Sequence, residues 1–337
     1  MRKGALSLKR PPEEEVVFRH SIRTLLAGLC ALTAASQAAP ALALAAPACP
    51  HPQVQAARAL RAQTLTDLTT TMKGEAFAYA SYSLFGTQAD RETHPAVGRL
   101  FGTTAQTELN EHLHEAATLA GVVGTNAANL HQAIKGETYE HQVMYRGFAD
   151  QARQDGDTNA AALFTEIAAD EGRHRDAFRT ALHVVNSGQG AIPAPQNAKT
   201  VPVPAGLPKV HAARTKTNLD TAMHGEALAY AKYMLFAAQA KKAGNPSLAR
   251  LWEGTAAVEL HEHFAGEAVL AGLVRTTKEN LNKAITGERA EATTIYPGFA
   301  KQAKAASDTA AAAYFRNTAA DEAKHAAAFQ QALNQLH

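Results

Sequence analysis

The sequence predicts an all-α protein made of two four-helix bundles in tandem. Three observations carry that expectation. The chain repeats itself at a fixed shift of 151 residues, so that DEGRH at 170–174 returns as DEAKH at 321–325. Apolar residues recur at steps of three and four, the signature of one helix face. Acidic residues interrupt that apolar stripe in each predicted helix, in both copies.

The repeat frames the domains. The shift aligns Leu68 with Leu219, Met72 with Met223, Pro95 with Pro246, Asn129 with Asn280, Tyr145 with Tyr296 and Phe164 with Phe315, without a gap from about 68 to 182. We read 1–48 as a leader, 58–185 as the first repeat, 186–213 as a linker and 214–337 as the second repeat. The linker holds five prolines and three glycines between Asn186 and Lys209, which favours extended, non-helical chain.

Within a repeat, Leu68, Met72, Glu75, Tyr79 and Tyr82 mark the first helix. A turn at His94-Pro95 precedes a second helix over about 96–120, stopped near Gly121. Thr125 is the candidate N-cap of a third helix reaching about 154; the matching Thr276 has Glu279 three residues on, a capping-box pattern. Asp155-Gly156-Asp157 is a turn. The fourth helix carries Phe164, Ala168, Glu171, His174, Phe178 and Leu182 along one stripe. Abundant alanine favours helix throughout.

Composition narrows the function. A net charge of +2 gives no case for a nucleic-acid partner. The only cysteines are Cys30 and Cys49, which excludes a four-cysteine metal site. Arg19 and Arg23 precede TLLAGLCALTAA and small-residue stretches, the pattern of an export signal, so the mature protein is expected in the periplasm, the cell envelope or outside the cell. The membrane then enters only through that signal or a lipid on Cys49, for which Ala46 is a poor lipobox residue.

The acids carry the chemistry. Helix 1 supplies Glu75, helix 2 Glu108 and Glu111, helix 3 Glu137 and Glu140, helix 4 Glu171 and His174. The second copy supplies Glu226, Glu259, Glu262, Glu288, Glu291, Glu322 and His325. The pairs fall at i, i+3 and share a helix face. Glutamates are almost never buried unpaired, and six carboxylates per bundle with few facing lysines cannot neutralise one another. A pair of multivalent cations would, and hard oxygen donors with one imidazole suit iron or manganese. A lone E-x-x-H is usually solvent-exposed; the same acids on four helices, twice, are the stronger pattern.

On GEAFAYASY and GEALAYAKY, GETYE and GERAE, the Tyr145 and Tyr296 neighbourhoods, and DEGRH and DEAKH, the sequence resembles the rubrerythrins, ferritin-like di-iron carboxylate proteins. The resemblance covers nearly all of each repeat. It implies ligands at Glu75, Glu108, Glu137, Glu140, Glu171 and His174, and at Glu226, Glu259, Glu288, Glu291, Glu322 and His325. It implies two irons per bundle, about four per chain, with manganese the second candidate. Two departures stand out. Where the family pattern has E-x-x-H on helix 2, this chain has Glu111 and Glu262, each followed by a histidine, His112 and His263. From Glu108 the fourth residue lies about 40° round an α-helix and the third about 60° back, so either can face a metal; position favours Glu111 and Glu262. The rubredoxin-type module is also missing, so electrons are expected from a separate donor protein.

The family fold sets a length problem. If helices 2 and 3 run parallel, the link between them must cover about 38 Å, the sum of two helical rises. Four extended steps from Gly121 to Thr125 span at most about 14 Å. Exchange of helix pairs between repeats removes the conflict: Glu75, Glu108 and Glu111 would meet Glu288, Glu291, Glu322 and His325, with a reciprocal set. Up-down-up-down folding within each repeat is the alternative.

The function expected from the resemblance is reduction of hydrogen peroxide, with Glu140 and Glu291 as mobile carboxylates. Tyr82 and Tyr233 are read either as hydrogen-bond partners of the ligands or as core tyrosines. Ferroxidase or iron-binding activity with O₂ or peroxide as oxidant is the first rival, and a structural envelope module with inert metals the second. Association into a homo-oligomer is left open by the sequence.

Overall fold

A computed structural model describes residues 59–336. The leader, with Cys30 and Cys49, lies outside the described residues, as does the export reading that rests on it. The described residues are helical, with no strand among them. In the first repeat α1 spans Ala62–Arg91. A second long helix follows as α2 (Pro95–Thr107), a π-helical segment π1 (Glu108–Leu113) and α3 (His114–Leu119). The third is α4 (Asn126–Tyr139), π2 (Glu140–Met144) and α5 (Tyr145–Gln154), and α6 (Thr158–Ser187) is the fourth. The second repeat gives α7 (Ala213–Lys242), α8 (Pro246–Val258), π3 (Glu259–Phe264), α9 (Ala265–Ala271), α10 (Thr277–Ala290), π4 (Glu291–Ile295), α11 (Tyr296–Ala305) and α12 (Thr309–Asn334). None of these helices is long and apolar enough to cross a membrane.

Local chemistry sets the ends. Pro95 and Pro246 open α2 and α8, where a missing N–H costs nothing. Thr125 accepts from Ala128 N, and Thr276 with Glu279 completes a capping box. Gly188 and Gly272 stop α6 and α9 in the left-handed conformation.

The helix pairs are exchanged between the repeats. Bundle A combines α1 and α2–α3 with α10–α11 and α12. Tyr82 of α1 donates to Glu288 Oε1 (2.5 Å), Tyr296 donates to Glu75, and Tyr314 donates to His112 O at 3.0 Å. Asp308 accepts from Arg61 N and Thr64 Oγ1, closing the end of the bundle. Bundle B is the reciprocal set, α7 and α8–α9 with α4–α5 and α6. There Tyr233 donates to Glu137, Tyr145 donates to Glu226, and Asp157 accepts from His211 N and Ala212 N. Up-down-up-down folding within one repeat is not adopted, since Glu75 and Glu226 each meet a tyrosine of the other repeat.

Large rings fill the interior. Phe85, Phe101 and Phe329 surround Tyr82 in bundle A; Phe178, Phe236 and Trp252 surround Tyr233 in bundle B. Along the seam, α1 meets α7. Tyr79 stacks on its own counterpart Tyr230, centroids 5.5 Å apart, with the hydroxyls 3.2 Å apart. Phe77 stacks on His224 at 4.0 Å, and the apolar core of bundle A continues across the seam onto α7 and α9, while further clusters gather around Trp252 and Phe164 in bundle B. The linker is extended but pinned: Val201 N donates to His261 O, Gly206 N to Val274 O and Lys209 N to Leu270 O.

Because each bundle needs halves of both repeats, residues 59–190 alone lack their complement. They are expected to pair with a second copy and run as a dimer in light scattering; a folded monomer with native helicity would contradict the exchange.

Candidate metal centres

The π segments position the donors. Glu108, Glu140, Glu259 and Glu291 each stand at the first residue of one. Five-residue hydrogen-bonded turns widen a helix and recur at functional sites. The fourth residue on then returns closer to the starting face than it does in an α-turn. His112 therefore joins Glu108, its Nδ1 lying 2.8 Å from Glu108 Oε2, and His263 joins Glu259 at the same distance.

This corrects the expectation for Glu111 and Glu262. Glu111 is exposed, and Glu262 is half-buried, accepting a hydrogen bond from Lys199 N. The straight-helix geometry that left the choice open does not apply inside a π turn.

In centre A, His112 Nδ1 lies 3.0 Å from Glu322 Oε1 and 3.9 Å from Glu75 Oε2. His325 Nδ1 lies 2.8 Å from Glu322 Oε2, 3.1 Å from Glu108 Oε1 and 3.5 Å from Glu288 Oε2. Glu108 and Glu322 thus turn one oxygen toward each histidine, as bridging carboxylates would. Centre B repeats the pattern. His263 Nδ1 faces Glu171 Oε1 (3.1 Å) and Glu226 Oε2 (3.6 Å). His174 Nδ1 faces Glu171 Oε2 (2.9 Å), Glu259 Oε1 (3.1 Å) and Glu137 Oε2 (3.9 Å). Each centre forms two overlapping four-residue donor groups whose ligand atoms lie within 4.8 Å of one another. Donors about 2.0–2.2 Å from one ion at right angles stand about 3 Å apart, close to this spacing.

The electrostatics demand a cation. The eight glutamates Glu75, Glu108, Glu137, Glu171, Glu226, Glu259, Glu288 and Glu322 are each at most 2% exposed. Burial, then Glu322, pushes Glu75 well above the carboxylate range; burial, then Glu171, does the same to Glu137 and Glu226. Burial lifts Glu288 to about 7 although His325 beside it acts to lower it. Burial acts to raise Glu171 too, but the charges of His263 and His174 outweigh it and hold that carboxyl low. Conversely, burial lowers His174, and Glu259 and Glu171 overcome it, raising the ring to about 9. Two imidazolium charges cannot balance four carboxylates. Glu108 Oε1, Glu288 Oε2 and Glu322 Oε1 in centre A, and Glu137 Oε2, Glu171 Oε1 and both Glu259 oxygens in centre B, are buried with no donor aligned for a hydrogen bond, although imidazole nitrogens lie near several of them. Such orphaned acceptors are costly, and their convergence on shared points fits a pair of hard cations held by oxygen and imidazole nitrogen, iron or manganese.

Other expected residues sit beside these groups. Glu140 and Glu291 are half-buried and outside the donor groups, although burial, then Glu171 and Glu259, brings Glu140 to about 8. Glu291 Oε1 lies against Gly74 of α1. Tyr82 and Tyr233 are both ligand partners and core residues, since their hydroxyls reach Glu288 and Glu137 while their rings pack among phenylalanines.

Several neighbours escaped the sequence reading. Asp321 Oδ2 lies 3.8 Å from His112 Nε2 and Asp170 Oδ2 3.6 Å from His263 Nε2, behind the rings that face the donors. Their signal was available: an aspartate directly precedes the helix-4 glutamate in both copies. Glu267 is fully buried and accepts from Tyr145 at 3.0 Å. Its counterpart is Ala116, so a search for repeated acids passes over it.

A family model described as Rubrerythrin matches residues 66–182 and 255–333. The chain is 35% identical to a rubrerythrin of Porphyromonas gingivalis over 139 residues, 37% of this chain and 69% of that protein. It is 29% identical to a rubrerythrin of Nitratidesulfovibrio vulgaris over 140 residues, 38% of this chain and 73% of the relative. Rubrerythrin-2 of Clostridium acetobutylicum is 31% identical over 133 residues, 36% of this chain and 72% of its own length. No solved structure matches the chain significantly.

Two tests follow. His112→Ala should lower the metal content read by elemental analysis, while Glu111→Ala leaves it unchanged. In the metal-free chain, Glu288 keeps its proton up to about pH 7, whereas its ordinary value is 4.5. The unfolded state therefore holds fewer protons in that window, and metal-free stability falls as pH rises through it. His174 acts in the same direction: its contribution is complete below its ordinary 6.5 and is lost as pH rises through about 9. Metal binding needs the deprotonated carboxylates. The Tm difference between loaded and metal-free protein should therefore widen from about pH 5 to about pH 8.

Proposed function

The chain belongs to the rubrerythrin family, and from that premise we propose that it is a di-iron oxidoreductase reducing hydrogen peroxide to water at two centres. The observation that carries this reading is the pair of overlapping donor groups in each bundle, which share Glu108 and Glu322 in centre A and Glu171 and Glu259 in centre B. When bound, the iron pair supplies one electron from each ion to the O–O bond. Each peroxide thus takes two electrons and two protons and leaves as two waters.

The chain's own residues do the rest. Glu75, Glu108, His112 and Glu322 would hold one ion of centre A, and Glu108, Glu288, Glu322 and His325 the other. Tyr296 and Tyr82 fix the orientation of Glu75 and Glu288 through their hydroxyls. Such outer hydrogen bonds hold a ligand in place and tune it. The rings of Phe85, Phe101 and Phe329 keep water from the Tyr82 side. Glu140 and Glu291, half-buried and outside the donor groups, would serve as additional carboxylates for the bound pair. The sequence has no cysteine quartet, so re-reduction falls to a separate electron-donor protein. With residues 1–48 acting as an export signal, this chemistry would take place outside the cytoplasm.

The test is anaerobic reconstitution with ferrous iron followed by stopped-flow mixing with peroxide. About four irons per chain, two for each pair of donor groups, should oxidise with one peroxide consumed per two irons. Glu322→Ala should halve the iron and the peroxide consumed per chain, with their ratio unchanged, by removing centre A alone. Faster oxidation by O₂ than by peroxide would favour ferroxidase activity instead, and metal-loaded protein inert to both would leave only a structural role.

A further inference from the structure

Glu267 belongs to neither donor group of centre B, yet it lies one turn beyond the ligand His263 on the same helix face. It is fully buried, and its Oε2 has no hydrogen-bond partner. Its Oε1 meets the Tyr145 hydroxyl at 3.0 Å, and the same hydroxyl reaches the ligand Glu226. One phenol thus stands between two buried carboxyl groups, a metal ligand on one side and an acid outside the donor groups on the other.

A phenol has one proton to give. It can donate to one carboxyl group and can join the second only by accepting from it. Glu226 must be a carboxylate to bind a cation, so Glu226 accepts from Tyr145 and Glu267 keeps a proton of its own. In the loaded chain Glu267 is therefore the donor of its bond with Tyr145. Burial, the largest influence on Glu267, acts in the same direction and holds its carboxyl well above the ordinary range, against the lowering effects of Tyr145 and His263. With Oε1 protonated, Oε2 is a neutral carbonyl oxygen, which costs far less to bury alone than a charged one. The result is a directed chain from Glu267 through Tyr145 to Glu226, in which each bond strengthens the next.

Bundle A has no such chain. The counterpart of Glu267 is Ala116, so Tyr296 meets Glu75 without a carboxyl group from helix 2 behind it. Helix 4 differs as well: Tyr314, whose hydroxyl donates to His112 O at 3.0 Å, stands where bundle B has Leu163.

A carboxylate that accepts a stronger hydrogen bond gives less electron density to its metal, and a ferric ion needs that density more than a ferrous ion does. We propose that Glu267 is a positioning residue of centre B: acting through Tyr145 on Glu226, it makes the B iron pair easier to reduce than the A pair. This inference rests on the reading of both clusters as di-iron centres. Each ferric pair takes two electrons to become ferrous, so an external donor fills centre B first. A charged Glu267 would act the other way, since one more negative charge beside the ions favours the ferric state. The sign of the effect is therefore diagnostic.

Potentiometric titration of the iron-loaded whole chain, followed by the visible absorption of the ferric pairs, tests the proposal. The unmodified chain should reduce in two steps. Glu322→Ala leaves centre B alone and Glu171→Ala leaves centre A alone, and centre B should show the higher midpoint potential. Within the Glu322→Ala chain, Glu267→Ala should lower that potential toward the value of centre A. Glu267→Gln, whose amide N–H can still donate to the Tyr145 oxygen, should hold it close to the unmodified value. With Tyr145→Phe in place, Glu267→Ala should cause no further shift. Infrared spectroscopy of the ferrous-loaded full chain reads the proton directly: the C=O stretch of a protonated carboxyl group should be present, move in D₂O and vanish in Glu267→Gln. Equal potentials at the two centres, a rise on Glu267→Ala, equal shifts for the Ala and Gln variants, or the lack of a protonated-carboxyl band would each overturn the inference. Protein that binds no iron would overturn the metal-centre reading along with it, whereas full loading with equal potentials would overturn this proposal alone.

Discussion

Repulsion among buried carboxylates is the constraint on which the rest of the structure depends. Each centre gathers four glutamates that water cannot reach, and moving a lone carboxylate into such surroundings costs several kcal/mol even after relaxation. The histidines offset part of that cost. The remainder explains why tyrosine hydroxyls from the partner repeat meet Glu75, Glu137, Glu226 and Glu288. It also explains why the helices open into π turns just where they meet the site. The fold holds the donors in an arrangement that is unfavourable until a cation occupies it.

The exchange of helix pairs follows from a shorter-range constraint. The link from α3 to α4 turns the chain directly and cannot span a bundle, so each repeat contributes two hairpins that part company. Each centre then draws ligands from both repeats: in centre A, Glu75 and Glu322 lie 247 positions apart in sequence. Stability and metal binding are coupled across the duplication, and the stacked Tyr79 and Tyr230 mark the seam about which the halves are related.

Much of this was legible in the sequence because duplication filters noise. An acid that interrupts an apolar stripe once is ambiguous; Glu75 with Glu226, or Glu171 with Glu322, is not. The connector length, set against the parallel helices that the family resemblance implies, pointed to the exchange. What stayed hidden shares one cause, a departure from either helix regularity or repeat symmetry. The choice between Glu111 and His112 turns on a π segment, and a reading at 3.6 residues per turn has no way to register that extra residue. Asp170 and Asp321 were visible as letters, but their place behind His263 and His112 depends on the packing of α6 and α12 against the other repeat. Glu267 occurs in one copy only, so the filter that revealed the ligands concealed it.

Fusion of the two repeats into one polypeptide has an evolutionary consequence. In a dimer of identical subunits every substitution is copied into both active centres, so neither can change without the other. Here the codons for positions 116 and 267 are separate, and each can drift or be selected by itself. Covalent tandem linkage turns an obligatory symmetry into an optional one, and lets a single gene carry a division of labour that identical subunits cannot encode.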